Sequence, residues 1–442
     1  MEAYKLKDIQ LFKLFESFVK RGLEVLKTYV EAGGRIPVMT YYKPKVRFGE
    51  DGKSQGTEFI SYEEKDYKFI STDYYKQVTE VSAFQDACSY VSERKYLFIA
   101  GENFAPYVLF YDALIEYLTK TDSVEYSQEE SIDTYKKVES LLFNSEMIFR
   151  STAKLENFGC ARNVVKFDDR HFIRMYSEEE CKEIYHHPTI NIYDNTLPNP
   201  GDFRIEVVTI TKKDNWREAG IDGREEIKQI LTAMRLFKDT SVAISRLEVN
   251  KPITWFPFTS SAQQLLQPAS LGDSCSIGEN EVQNLIDCWK TIKGISNDKI
   301  RSLEIAIKRF NYAHEHKDRE DSLIDIMIGL ESLFLREIDE LRFKLALRIA
   351  TFLEASVGSY KEKKKEVFDG VYGAYKLRSK VVHGEKVPPA KIWECRSVKT
   401  YLSESIIQFA RLSQRFSHKQ IINEIDECIK NDSKQNLLAL FT

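Results

Sequence analysis

The residue pair with the clearest chemical potential lies in the segment AYKLRSKVVHGEK (374–386), where Arg378 precedes His383 by five positions. A guanidinium is always charged and binds two phosphate oxygens at once, whereas an imidazole exchanges a proton near neutral pH. Together the two side chains could stabilise charge on a phosphate group and move a proton beside it. The pair therefore suggests chemistry on an anionic, phosphate-containing molecule.

The spacing of this pair sets a condition on the backbone. Five residues of continuous helix rotate two side chains about 140° apart, so both can face one site only if the helix ends between them or His383 lies in the exit turn. Gly384 is suited to a left-handed cap, and Pro388-Pro389 prevent an early new helix. An ordinary basic helix end explains the same residues, because Lys380 and His383 also interact favourably with the helix dipole. Both interpretations stay open on spacing alone.

The elements that must position this pair are helices. From residue 296 to 442 the sequence predicts an all-α, antiparallel helical bundle, because segments with an apolar stripe at helical spacing follow one another with short breaks. These segments are RSLEIAIKRFNYAHEH, DSLIDIMIGLESLFL, ELRFKLALRIATFLE, EKKKEVFDGVYGAYKLRS and SVKTYLSESIIQFARLSQRF.

Residues 1–295 predict an α+β region of one or more domains, with a split near 120–200. A first helix over 5–32 is stopped by Gly33-Gly34. Further helices are predicted over 106–120, 130–147 and 225–237. Strands are predicted for VMTYYKPKVRF (38–48), EFISY (58–62), YKFIS (67–71), KYLFIAG (95–101), RIEVVTIT (204–211) and VAISRLEV (242–249). The pattern does not fix the topology of this region.

Composition narrows the class of protein. The chain has 442 residues, 43% of them hydrophobic and 30% charged, with a net charge of −4, which is typical of a multi-domain globular protein. Residues 296–442 carry 26 Lys and Arg against 22 Asp and Glu, and the remainder carries 38 against 46. Seven scattered cysteines without a C-x-x-C pair argue against a disulfide framework and a structural zinc site. A cytoplasmic protein without a membrane segment is expected.

The C-terminal third resembles the Apea-like branch of the HEPN superfamily. Its signature, typically YxxRSxxVHG, stands here as YKLRSKVVHG (375–384). Upstream, EDSLIDIMIGLESLF (320–334) resembles the acidic-start helix of that branch, and ELRFKLALRIATFLE (340–354) resembles the next helix with its K-L-A-L-R core. The three segments occur in the family order over roughly residues 299–420, and they say little about the N-terminal region.

The resemblance implies a metal-independent endoribonuclease that needs no cofactor. HEPN domains of this kind usually form a homodimer through the bundle, which unites two motifs in one composite cleft, and the carried-over catalytic pair is Arg378 and His383. Attack of the RNA 2′-hydroxyl on the neighbouring phosphate would leave a 2′,3′-cyclic phosphate and a 5′-hydroxyl. Ser379 takes a position where many relatives use Asn, Asp or His. Such proteins resemble toxins and antiviral-defence effectors, so region 1–295 would bind a trigger or regulator.

Five further residues are candidates beside that pair. Lys376, Lys380 and Lys386 flank the motif and could follow an RNA backbone, although a solvated basic face explains them equally well. Glu331, inside an otherwise apolar helix, could orient the arginine or the histidine, and a structural ion pair or a partly exposed position is the alternative. Ser379 could support the site as its neighbour in sequence.

Other chemistries find little support in the sequence. His314-x-His316 has no cysteine or carboxylate partners at ligand spacing, so a metal site is not expected. The chain also has no phosphate-binding loop, dinucleotide fingerprint, hydrolase elbow or H-E-x-x-H motif. The main alternative is a non-catalytic protein that uses a HEPN-like bundle for nucleotide binding or dimerisation.

Overall fold

In a computed structural model, the protein divides into two compact units, each formed from several stretches of the chain. Unit 1 comprises Met1–Lys154, Asp168–Glu225 and Arg246–Gln264, and unit 2 comprises Leu155–Phe167, Glu226–Ser245 and Leu265–Thr442. The structure describes residues 5–48, 54–70, 72–99, 102–103, 106–185, 197–212, 216–250, 263–264, 274–295, 301–316, 318–335, 341–431 and 435–441. The predicted boundary at 295/296 stays a prediction.

Helices dominate the described residues, and strands are confined to the region before the C-terminal bundle. The helices are α1 (Ile9–Glu31), α2 (Thr72–Thr79), α3 (Ser82–Glu93), α4 (Pro106–Thr121), α5 (Gln128–Phe143), α6 (Glu178–Tyr185), α7 (Trp216–Phe237), α8 (Val282–Lys293), α9 (Arg301–Glu315), α10 (Arg319–Phe334), α11 (Leu341–Ser356), α12 (Lys364–Val382), α13 (Pro389–Glu394), α14 (Ser397–Leu412), α15 (His418–Asn431) and α16 (Gln435–Ala439). The strands are β1 (Val38–Phe48), β2 (Ser54–Lys65), β3 (Phe98–Ile99), β4 (Glu102–Asn103), β5 (Glu146–Glu156), β6 (Phe158–Cys160), β7 (Val164–Lys166), β8 (His171–Met175), β9 (Phe203–Lys212), β10 (Ala243–Asn250), β11 (Gln263–Gln264) and β12 (Cys275–Ile277).

Unit 1 is built around the apolar stripe of α1. The Asp8 side chain caps this helix by accepting a hydrogen bond from the Leu11 backbone N–H at 2.9 Å. Phe15 and Phe18 are fully buried and contact the rings of Tyr135 in α5 and Phe110 in α4, with centroids 5.5 and 6.4 Å apart. Burial of large aromatic rings is the main source of stability here.

The strands of unit 1 pair in antiparallel fashion. β1 and β2 form a long hairpin in which Val38 lies opposite Lys65 and Tyr41 opposite Tyr62. β9 lies between β5 and β8, with Ile205 opposite both Ala153 and Ile173, and all three side chains are buried. This small sheet and the helices of α1 to α5 confirm the predicted α+β class of the region.

The C-terminal part of unit 2 is a helical bundle, as its sequence pattern predicts. The rings of Phe334 (α10), Phe352 (α11) and Phe409 (α14) are fully buried and lie 4.9–5.4 Å apart. Gly329 allows α10 to approach α14 closely, because a Cβ atom there would lie 2.9 Å from Leu402 Cδ2. This core holds α10, α11 and α14 together.

One predicted strand is wrong and another is confirmed in part. YKFIS forms a short 3-10 turn at Tyr67–Phe69, capped by the Asp66 side chain. KYLFIAG contains the short strand Phe98–Ile99, and its last two residues lie outside the described part of the chain. The same region contains α2 and α3, whose aromatic residues favour strands by local propensity alone. Residues 82–93 nevertheless form helix α3, because Phe84, Ala87 and Val91 then make one buried face that packs on α1.

Candidate functional site

Helix α12 carries the Arg378–His383 segment and explains the position of the arginine. Val367, Val371 and Ala374 lie along the buried face of this helix. Arg378 continues that stripe one turn later, so its stem starts on the packed face and its side chain remains 24% exposed. Packing of α12 on α10 and α11 thus fixes a cation at the edge of the bundle.

The predicted left-handed cap is confirmed at the end of α12. His383 is the C-cap residue, and Gly384 follows with a φ of +77°. The Gly384 N–H donates to Val381 O at 2.9 Å and the Glu385 N–H donates to Lys380 O at 3.0 Å, which is the paired bonding of a Schellman motif. A side chain at position 384 would strain this turn, whereas glycine does not.

The helix does not end between Arg378 and His383. It continues to Val382, so the histidine lies in the exit turn, with its side chain exposed. Of the two backbone arrangements that the sequence allows, the second is therefore present. Arg378 is half-buried against the bundle and His383 faces solvent, a division that leaves the imidazole accessible to a substrate or to a second copy of the chain.

Glu331 of α10 is the acidic residue next to Arg378, as its proposed supporting role requires. Its Oε2 atom lies 3.8 Å from Arg378 Nη2, and the two side chains are 22% and 24% exposed. Burial raises the pKa of the Glu331 carboxyl, while the nearby guanidinium of Arg378 and a hydrogen bond from the Tyr375 hydroxyl oppose this rise. The carboxylate thus lies near the arginine without closing a short, bidentate pair.

One hydrogen-bond donor of the Arg378 guanidinium is left unpaired by the described residues. Its Nε atom is shielded from water and has no hydrogen-bond partner among the residues that the structure describes. Buried polar groups are normally satisfied, and the Nε and Nη2 atoms together form the edge with which arginine binds two oxygens of an anion. Because Nε is shielded, an anion can pair with it only when the Arg378 side chain turns this edge toward solvent.

Tyr375 is a member of this cluster to which the sequence assigns no role. It lies three residues before Arg378 on α12, so both side chains share one face of the helix. Its ring centroid is 5.9 Å from the guanidinium carbon of Arg378, and its hydroxyl bonds Glu331. The Y-x-x-R spacing within the signature is the sequence signal that could have identified it.

The remaining candidate residues surround the end of α12 in different ways. Lys376 and Lys386 are exposed, whereas Ser379 and Lys380 are half-buried. The Lys380 ammonium lies 3.1 Å from the Glu385 carboxylate, a surface pair that contributes little stability. Three lysines and Arg378 therefore give this end of the helix a positive surface.

The two histidines of the H-x-H segment point to different partners. His314 is buried and bonds the carbonyl of Phe310 through Nδ1 at 2.9 Å, and burial lowers its pKa well below the ordinary value. His316 bonds Asp325 at 2.7 Å. Among the described residues, no group of three or more His, Cys, Asp and Glu side chains could hold a metal ion. No described helix is long and apolar enough to cross a membrane.

Comparisons with known proteins add no further assignment to this geometry. Protein-family models, curated proteins and solved structures give no significant match to the chain.

Proposed function

We propose that the protein is a metal-independent endoribonuclease of the HEPN type, with Arg378 and His383 as its catalytic pair. The observation that carries the proposal is the state of Arg378, a cation fixed at the bundle edge whose Nε donor is unpaired among the described residues and whose ion pair to Glu331 spans 3.8 Å. Such a guanidinium is suited to the charge that develops on a phosphate during cleavage. The resemblance of YKLRSKVVHG to the HEPN signature supports the same assignment.

The proposed reaction uses the nucleophile that RNA already contains. The imidazole of His383 takes the proton from a 2′-hydroxyl, whose oxygen attacks the adjacent phosphorus, and the bond to the 5′-oxygen breaks. That oxygen receives a proton from a second imidazole, which a homodimer would supply as the partner copy of His383. The products are a 2′,3′-cyclic phosphate and a 5′-hydroxyl, and no metal ion or redox partner takes part.

The supporting residues have roles that follow from their positions. Glu331 and Tyr375 hold the Arg378 guanidinium from one side, so the arginine pays less conformational entropy when it binds phosphate. Lys376, Lys380 and Lys386 add positive charge for the RNA backbone. In the cell, such an activity would act as a toxin or antiviral-defence effector, with residues 1–295 binding the trigger or regulator.

The decisive experiment incubates the purified chain with total RNA in EDTA. The parent should cleave RNA and leave 2′,3′-cyclic phosphates, and His383→Ala should lower the rate about 10²- to 10⁴-fold because the general base is lost. The matched control is His316→Ala, which removes a histidine of the same unit that bonds Asp325 and should cleave like the parent. Equal cleavage by the parent and His383→Ala would overturn the catalytic assignment.

A cellular experiment covers the case in which the purified chain lacks its trigger. Expression should arrest growth, and Arg378→Ala should relieve the arrest, whereas Arg415→Ala should not, because Arg415 is an exposed arginine beyond α14. Sedimentation of the parent should show a dimer at micromolar concentration. A monomer would contradict the composite site, whereas a dimer without cleavage or growth arrest would favour the non-catalytic HEPN-like scaffold.

A further inference from the structure

A groove runs along α12 beside Arg378, between this helix and the first turn of α11. It encloses about 660 Å³, and Arg342, Phe343, Tyr372, Tyr375, Lys376 and Lys380 contribute to its lining. This volume lies within the range of small-ligand sites, which is about 300–1,000 Å³. The groove is open along one side, so it could admit part of a long molecule.

Aromatic rings form one layer of the groove. Phe343 is 52% exposed and contacts the ring of Phe368 edge to face, with centroids 5.5 Å apart. Phe368 and Tyr372 are stacked with an interplanar angle of 18°, and the Arg342 guanidinium lies 4.2 Å from the Tyr372 ring centroid. This arrangement leaves the Phe343 ring and the Arg342 guanidinium as flat outer surfaces. Unpaired nucleobases stack on aromatic rings and on guanidinium planes.

The positive charge of the residues that line the groove favours a negatively charged occupant. Arg342, Lys376 and Lys380 contribute three cations, of which Lys380 is paired with Glu385 at 3.1 Å. None of the residues that line the groove in the described part of the chain is acidic. A second copy of this chain placed face to face in the groove would bring these cations against themselves, which is unfavourable. A polyanion with flat, apolar bases is complementary to both the charge and the rings.

The groove is continuous with the candidate site. Tyr375 belongs to both, because it lines the groove and also bonds Glu331 beside Arg378. Ser379, which also lines the groove, is the residue after Arg378. A strand whose phosphate lies at Arg378 would therefore meet the groove at Tyr375 and Ser379.

We propose that this groove is a subsite for an unpaired nucleobase, in which the base stacks on Phe343 and Arg342. The placement of the scissile phosphate at Arg378 rests on the proposed function, but the binding of the base does not. Duplex RNA cannot present a base in this way, because its bases are paired and stacked inside the helix.

The test measures binding in the absence of cleavage. The full-length His383→Ala chain in EDTA is titrated into a fluorescein-labelled single-stranded 12-nucleotide RNA, and fluorescence anisotropy is recorded. Adding Phe343→Ala should weaken binding about 5- to 100-fold, because one stacked base is lost. Phe343→Tyr keeps the ring and should bind as tightly as the parent. The matched control is Tyr312→Ala, which removes a 38% exposed ring near Lys308 and Arg309 on α9 and should leave the affinity unchanged.

Two further probes separate base stacking from charge. The same sequence as a duplex, and an abasic strand of the same length, should bind more weakly and should be insensitive to Phe343→Ala. The proposal is overturned if the single strand does not bind, if the duplex or abasic strand binds as tightly, or if Phe343→Ala has no effect while circular dichroism shows that it is folded. It is also overturned if Phe343→Ala converts a dimer to a monomer, since the ring would then belong to a subunit interface.

The outcomes also distinguish this subsite from the catalytic assignment. Cleavage that requires His383 but is unaffected by Phe343→Ala would leave the ribonuclease and remove the subsite. Stacking-dependent binding without cleavage of RNA and without growth arrest on expression would leave the subsite and remove the ribonuclease.

Discussion

Two arginines of the same helical bundle use their guanidinium groups in opposite ways. Arg348 of α11 is 6% exposed and binds both carboxylate oxygens of Asp426 on α15, at 2.7 and 2.8 Å. It also donates to the backbone carbonyl of Phe334 at 2.7 Å. Arg378 of α12 is 24% exposed, its ion pair to Glu331 spans 3.8 Å, and its Nε donor has no partner among the described residues.

The difference separates a structural cation from an available one. Arg348 donates to a carboxylate on α15 and to a backbone carbonyl at the end of α10 that has no partner within its helix. These hydrogen bonds connect α10, α11 and α15 and occupy the donors of the guanidinium. Arg378 is held on one side only and retains donors for an external anion. Both arginines lie in segments that resemble the HEPN pattern. That resemblance implies a catalytic role for Arg378 alone, and the hydrogen bonds of the two side chains differ in the same sense.

The largest effect should come from the structural arginine. We expect Arg348→Ala to lower the free energy of unfolding by about 3 kcal/mol, because it leaves the Asp426 carboxylate and the Phe334 carbonyl without their donor. Urea denaturation followed by circular dichroism measures this loss. Under the proposed function, RNA cleavage per folded molecule should be unchanged.

A double variant tests whether the loss comes from the stranded partner. Arg348→Met combined with Asp426→Leu removes both charges and should cost less than Arg348→Ala alone, since no unpaired charge remains. If Arg348→Ala costs less than about 1 kcal/mol, the short bidentate pair is not what stabilises this part of the bundle, and the contrast with Arg378 disappears.

The second effect concerns the turn that places His383 relative to Arg378. Gly384→Ala should destabilise the protein by about 1 kcal/mol, because alanine is strained at a φ of +77°. Thermal denaturation measures the change. Gly373→Ala, in the middle of the same helix, is the matched control and should have the opposite sign, since an added Cβ there meets open space and alanine favours helix. Equal shifts for both variants would contradict the role of the positive φ.

The sequence predicts the bundle well because its signals are local. The apolar stripes of α9 to α12 and α14 and the glycine after His383 act within one helix, and the structure places these elements where the pattern indicates. The cap of α12 is the clearest case, since glycine alone relieves the backbone strain there. Such features need no knowledge of the rest of the chain.

Features that depend on distant contacts could not be predicted in this way. Tyr67–Phe69 has the aromatic composition of a strand, yet Asp66 caps it into a 3-10 turn. Arg348 and Arg378 are the same residue type, and the bonds of Arg348 to the Asp426 carboxylate and the Phe334 carbonyl exist only once the helices are packed. The groove between α11 and α12 likewise needs the packing of two helices before Phe343 and Tyr372 share a surface.

The third effect should be small for the available arginine. We expect Arg378→Ala to change the free energy of unfolding by less than about 1 kcal/mol, because a half-buried pair at 3.8 Å contributes little and Tyr375 still bonds Glu331. The same variant should lose cleavage under the proposed function. Urea denaturation and the cleavage assay on one preparation test both statements. A stability loss as large as that of Arg348→Ala would show that Arg378 is structural and would break the comparison.

The smallest expected effect is a pH-dependent change in stability caused by Glu331→Gln. It tests most directly whether Arg378 is a structural cation like Arg348. Burial raises the folded-state pKa of this carboxyl above its ordinary value of 4.5, so the folded state binds the proton more tightly than the unfolded state. The stability contributed by the protonated form is complete below about pH 4.5 and is lost as the pH rises through the folded-state pKa.

Glu331→Gln cannot titrate. We therefore expect it to equal or slightly exceed the parent in stability at pH 7, by less than about 1 kcal/mol, and to fall behind the parent as the pH is lowered toward 4. Urea denaturation of both proteins at pH 4, 5 and 7 measures the difference. If Glu331→Gln instead loses stability relative to the parent as the pH rises, the Glu331 carboxylate is stabilised by Arg378. Arg378 would then be a structural cation like Arg348.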